Sequence, residues 1–166
     1  MRLYGLLFSV LLLAGCGERH VEAQIRQAVA IEQGDECHLC GMVISRFPGP
    51  KGEAYEQGAE EIRKFCSTRD LLNWALDPEN RHARQQIWVH DMGQTPWDKP
   101  DDEHFIDAEL AWYVAGSTQT GAMGPTLASF GEQAVAERFA SKFGGQVLKF
   151  EELTLENINP KGHQMH

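Results

Sequence analysis

From Cys37 to about Phe150 the chain presents the same order of signals twice, and that repetition limits the folds open to it. In the first round, Met42-Val43-Ile44 is followed by Phe47-Pro48-Gly49-Pro50-Lys51-Gly52, a turn by its proline and glycine content. Glu53-Ala54-Tyr55-Glu56 then reads as a short paired strand. Ser67-Thr68-Arg69-Asp70 has the polar pattern of a helix N-cap and leads into Leu71, Leu72, Ala75 and Leu76 at helical spacing. Asp77-Pro78 ends that helix, because the residue before a proline is driven out of the helical region, and Gln86 to His90 is strand-like.

The second round follows a loop rich in Pro and Asp, Thr95 to Asp102. Phe105-Ile106-Asp107-Ala108 and Ala111-Trp112-Tyr113-Val114 have strand character, and Gly116 to Thr126 is a Gly-rich connection. Ser129-Phe130-Gly131-Glu132 has the form of a capping box, Val135, Ala136, Phe139, Ala140 and Phe143 share one helical face, and Gly144-Gly145 closes the helix. Gln146 to Phe150 is a final strand. The expectation is an α+β fold of two similar ββαβ units, over 37–94 and 95–155, with a tail over 156–166.

The N-terminus speaks to the compartment. Met1-Arg2, a short apolar run and Leu13-Ala14-Gly15-Cys16 match an exported lipoprotein signal. The run is too short to span a bilayer, which takes roughly 20 apolar residues. Residues 1–15 are therefore expected to be removed, leaving Cys16 as the lipid-bearing first residue and 16–36 as a tether. Such a chain is held at a membrane by its lipid and faces the periplasm, and Gly17 in the second mature position leans towards the outer membrane. The tether reads as flexible near Cys16 and ordered towards Ile31. The formal charge of −9 argues against nucleic acid and anionic lipid surfaces as partners.

Cys37-His38-Leu39-Cys40-Gly41-Met42 packs two thiols, an imidazole and a thioether into six residues. A Cys-x-x-Cys of the redox kind sits at a helix N-terminus, where the dipole lowers the thiol pKa. Here the following residues run into a Pro-Gly turn, so the local pattern is strand or loop. Covalent haem needs His directly after the second Cys, and position 41 is Gly. Structural zinc takes four ligands, and Cys66 stands alone in the sequence. Soft sulfur ligands suit Cu(I). Met123, in Gly121-Ala122-Met123-Gly124-Pro125, has small neighbours that leave its side chain free to project. Met42 on a strand is as readily a core residue. His90 and Met92 have ligand chemistry as well, but a histidine at a strand end is usually just solvated. His163, Met165 and His166 belong to a terminus expected to fray.

The lipobox cysteine, Cys37-His38-Leu39-Cys40-Gly41-Met42, Gly49-Pro50-Lys51-Gly52, Ile87-Trp88-Val89, Phe105-Ile106-Asp107-Ala108 and Gly121-Ala122-Met123-Gly124-Pro125-Thr126 together resemble the NosL family, copper-binding lipoproteins of nitrous oxide reductase assembly. The resemblance runs from Cys37 to about Thr154. It implies a non-enzymatic copper chaperone that holds one Cu(I) and passes it to the maturation proteins of the reductase. It also implies two ββαβ units similar to part of organomercurial lyase. Carried onto this chain, the resemblance places the family's copper ligands on Cys40 and Met123, with Cys37, His38 and Met42 as the candidates for the rest of the shell. A periplasmic thiol–disulfide oxidoreductase using Cys37 and Cys40 is the alternative.

Overall fold

The computed structural model describes residues 26–159. The α+β expectation holds: several antiparallel sheets are combined with four helices. The first sheet contains β1 (Gly52–Glu56), β2 (Ile62–Phe65), β3 (Arg84–His90) and β4 (Phe105–Asp107), in the order β2-β1-β3-β4. Between β2 and β3 lie α1 (Thr68–Leu76) and the short α2 (Pro78–Arg81). The second sheet has the order β8-β5-β9, from β5 (Trp112–Ala115), β8 (Ala128–Phe130) and β9 (Gln146–Lys149), with α3 (Gln133–Phe143) before β9. A small hairpin, β6 (Thr120–Gly121) and β7 (Gly124–Pro125), is inserted between β5 and β8. The last helix among the described residues is α4 (Leu155–Ile158).

Local chemistry sets α1 as the sequence indicates. The Ser67 hydroxyl accepts the Asp70 N–H at 3.0 Å, satisfying one of the donors a helix start leaves over. One face of the first sheet carries Gly52, Ala54, Phe65, Ile87 and Val89, matched in register and covered by Leu71 and its neighbours on α1. Position 52 must be glycine for this contact, since a Cβ there would lie 2.6 Å from the Leu71 Cβ.

The opposite face carries Glu53, Tyr55, Lys64 and Gln86. Residues 26–31 run across it, fastened by side chains rather than by a strand ladder. Gln86 Oε1 accepts the Arg26 N–H at 2.7 Å, the Tyr55 hydroxyl donates to Gln27 O at 3.3 Å, and Glu53 Oε2 accepts the Val29 N–H at 2.9 Å. Lys64 Nζ donates to Ala30 O at 2.7 Å, and Asp102 Oδ2 accepts the Ile31 N–H at 2.7 Å. The segment expected to be a tether is thus docked over its described part.

Two expectations about the second half are corrected. Phe105–Asp107 does not pair with the strand that follows it; it joins β3 in the first sheet, opposite Trp88 to His90. Ser129 does not cap a helix. It is fully buried in β8, where its hydroxyl donates to His90 O at 2.7 Å, and α3 begins at Gln133 instead. His90 is likewise not solvated: Nδ1 accepts the Lys51 N–H at 3.1 Å and Nε2 lies 3.0 Å from Asp102 Oδ1. Burial holds the His90 pKa down despite that carboxylate. Met92 is partly buried against the smaller core formed by Val114, Ala128, Phe130 and Ala136.

Candidate metal centre

Cys37 to Met42 forms a tight loop because Gly41 takes a positive φ of 72° and two backbone bonds close it, Cys37 N–H to Met42 O at 2.9 Å and Gly41 N–H to Cys37 O at 2.8 Å. The loop is held to the end of β2 by the His38 N–H, which donates to Lys64 O at 2.8 Å. Cys66 follows β2 directly and precedes the Ser67 cap, so the start of α1 presents Cys66 and Asp70 to the same spot.

The result is a cluster of Cys37, Cys40, Cys66 and Asp70, whose ligand atoms all lie within 4.8 Å of one another. Cys40 Sγ and Cys66 Sγ are 3.5 Å apart, and Cys66 Sγ donates to Asp70 Oδ2 at 3.0 Å. Cys37 and Cys66 are buried, whereas Cys40 is half-exposed and forms the open side. No disulfide joins the three thiols.

Their protons are unequally held. The Cys37 thiol is pulled down chiefly by side-chain hydrogen bonding with Cys66, with the N–H groups of Cys66, Cys40 and Leu39 adding to it against the effect of burial. Cys66 is pushed far up by the same partnership, by burial and by Asp70. Burial is the main reason that Cys40 is raised. Three cysteine sulfurs, one of them with its pKa drawn down by its neighbours, make a soft, electron-rich site, which suits a thiophilic cation and fits Asp70 better as a hydrogen-bond acceptor than as a hard ligand.

Cys37 and Cys40 are therefore brought together, and with them a residue that sequence reasoning set aside. Cys66 stands 26 positions from Cys40 and shares no motif with it. His38 turns elsewhere: its ring nitrogens lie 3.0 and 2.7 Å from the Arg63 guanidinium, and the ring meets Phe65 edge-on. Met42 is partly buried against the main core. Met123 occupies the turn of the β6–β7 hairpin with a φ of 59°, uncommon for a residue with a side chain. Its carbonyl accepts from Arg69 at 3.3 Å, so the hairpin is latched to the first turn of α1, one residue from Asp70. Cys16, His163, Met165 and His166 lie outside the described residues.

The NosL family model matches residues 28–158. The chain is 51% identical over 165 residues to a copper-binding lipoprotein NosL of Stutzerimonas stutzeri, covering 98% of this chain and 86% of the relative. It is 33% identical over 149 residues to a copper-binding lipoprotein NosL of Achromobacter cycloclastes, covering 88% and 76%. Among solved structures it is similar to the crystal structure of the copper chaperone NosL from Shewanella denitrificans, with a TM-score of 0.76, 54% identity and coverage of 77% of this chain and 96% of that one. The solution structure of apo-NosL from Achromobacter cycloclastes aligns with a TM-score of 0.52 and 32% identity, covering 69% and 94%.

Proposed function

The chain belongs to the NosL family, and from that premise we propose that it carries its copper as Cu(I) on the sulfur cluster, for delivery to the assembly proteins of nitrous oxide reductase. It is a copper-binding lipoprotein and copper chaperone, not an enzyme, anchored to a membrane by its lipid. The single observation that carries the site is the convergence of three cysteine sulfurs, beside Asp70, within 4.8 Å, with an open side at Cys40. In this reading Cys37, Cys40 and Cys66 supply thiolate sulfur and Met123 a thioether from the latched hairpin. Met42 is held in reserve at the far end of the loop. The soft donor set favours Cu(I) over Cu(II), and Cys40 is the ligand an acceptor can reach first.

The anchor is Cys16, after removal of residues 1–15, and the protein faces the periplasm from the outer membrane. The orders β2-β1-β3 and β8-β5-β9, each with a helix before its last strand, support two related ββαβ units similar to part of organomercurial lyase. The second strand of the later unit is then β8 rather than the one expected from sequence.

Anaerobic titration of the reduced protein with Cu(I), against a chelator of known affinity, tests the reading together with X-ray absorption at the copper edge. One tightly bound equivalent in a sulfur-dominated shell is expected. A nitrogen- or oxygen-dominated shell, or no binding within the chelator's range, overturns it. The depressed thiol of Cys37 beside Cys66 favours thiol–disulfide exchange as the second reading, and turnover in the reduction of a disulfide substrate protein would support that one instead.

A further inference from the structure

Lys51 is a buried cation that the copper cluster does not use: only 4% of the residue is exposed, and among the described residues its amine bonds to no carboxylate. Instead Nζ donates to three consecutive carbonyls, Phe47 O at 2.7 Å, Pro48 O at 2.9 Å and Gly49 O at 2.8 Å. Three carbonyl dipoles aimed at one point repel one another unless a cation sits there, so the ammonium group holds this turn in shape. Burying a charge costs free energy unless it is well partnered, and here every donor of the amine has an acceptor.

The turn so held is the seat of the hairpin that carries Met123. A Cβ on Gly121 would lie 3.2 Å from Pro48 O, and one on Gly49 would lie 3.5 Å from the Gly121 Cα, so the two backbones are in direct contact. The Gly49 N–H donates to Trp97 O at 2.7 Å, and Trp97 Nε1 donates to Thr120 O at 2.9 Å, which ties the same turn to β6 by a second route. The Pro50 carbonyl accepts the Thr68 N–H at 3.0 Å, fixing the turn to the start of α1, where Cys66 and Asp70 sit.

We infer that Lys51 is a positioning residue for copper binding: by clamping the 47–49 turn it fixes the β6–β7 hairpin so that the Met123 thioether is presented to the cluster. The inference rests on Met123 being a copper ligand. Without the clamp the three carbonyls separate, the hairpin loses its seat and the thioether samples a wider volume, which weakens its contribution while leaving the thiols in place.

The test uses the full chain, purified, reduced and labelled with ¹³C on the methionine methyl groups, the Met123 signal being assigned by its loss in Met123→Ala. In the parent protein Cu(I) shifts the Met123 methyl. In Lys51→Met, whose unbranched side chain is one atom shorter and has no donor, the shift is largely lost. Cu(I) affinity falls several-fold, by about as much as in Met123→Ala, and the double variant is no weaker than Met123→Ala alone. An unchanged shift and affinity in Lys51→Met, alongside a weakened Met123→Ala, overturns the role of Lys51 only. If the methyl stays still in the parent and Met123→Ala binds as tightly, the assignment of Met123 as a ligand has failed, and the inference falls with it. Should Lys51→Met not fold, Trp97→Phe keeps an aromatic side chain and removes the indole bond to Thr120 that ties the hairpin to the same turn. A reduced methyl shift is expected there, and a full one overturns the inference.

Discussion

Cys66 Sγ lies 3.5 Å from Cys40 Sγ and 3.0 Å from Asp70 Oδ2, so the third thiol sits between the exposed end of the cluster and a buried carboxylate. Replacing it tests whether the cluster acts as one site. Cys66→Ser is expected to weaken Cu(I) binding on the order of tenfold or more and to remove one sulfur from the copper shell seen by X-ray absorption. The fold should survive, because the Ser67 cap and the covering of the sheet by α1 do not involve the thiol. Equal affinity in the variant and the parent would leave Cys66 as a core residue beside a two-thiol site.

How this cluster escapes sequence reasoning is plain from its geometry. Cys37 and Cys40 share a loop and declare themselves by spacing. Cys66 reaches them only because β2 runs beside that loop, through the bond from His38 N–H to Lys64 O, and because α1 starts immediately afterwards. The legible part was the cap pattern Ser67 to Asp70; a cysteine directly before such a cap is carried to the start of a helix, and that was the available signal. Strands β1, β3 and β9 and helix α1 were readable because their periodicity and stop signals are local. The partner of the Phe105–Asp107 strand and the place of Ser129 are not legible, for the opposite reason. Which partner β4 takes and whether Ser129 is buried are settled by tertiary packing around His90, which overrides a local capping pattern.

Glu53 gives a pH-dependent prediction. Its side chain is fully buried, Oε2 accepts the Val29 N–H, and Oε1 has no partner among the described residues. Burial holds its carboxyl up at about 7; the Val29 N–H and Lys64 pull it down, while Asp102 and Asp35 push it further up. The native state thus keeps a proton that the unfolded chain releases near 4.5, and stability drains away as pH rises from there through about 7. The lowered His90 pKa works in the opposite sense at acid pH, so the informative quantity is the difference between variants. Glu53→Gln, with no proton to lose, should gain on the parent by on the order of 3 kcal/mol between pH 4.5 and 8. Urea unfolding at the two pH values measures this. Parallel pH profiles for the two proteins would mean that the carboxyl ionises freely in the native state.

The close approach of α1 to the first sheet predicts a large cost at one glycine. In Gly52→Ala the new methyl would lie 2.6 Å from both the Cβ and the Cδ2 of Leu71, itself fully buried. Neither the strand nor the helix can yield easily, and overpacking of this kind costs about 1–3 kcal/mol. Chemical denaturation should show the loss. Because α1 carries Asp70 and starts beside Cys66, Cu(I) affinity should fall with it; a variant as stable as the parent would show that the helix can slide.

Oxidation of the copper-free cluster should follow its distances. Cys40 Sγ and Cys66 Sγ are separated by 3.5 Å, against about 2.05 Å in a disulfide, and Cys40, the least buried of the three thiols, is the one an oxidant meets first. Exchange with oxidised glutathione would remove two protons and two electrons from that pair and leave two reduced glutathione molecules, through a mixed disulfide on Cys40. The expected product is a Cys40–Cys66 crosslink, with Cys37 left as the free thiol that reacts with an alkylating reagent. Two of the three thiolate ligands are then lost, so Cu(I) binding should disappear and return on reduction. Peptide mapping of the oxidised protein decides the matter. A Cys37–Cys40 bond would instead mean that the short loop closes on itself before Cys66 can compete, and Cys66→Ser would then leave the oxidation rate unchanged.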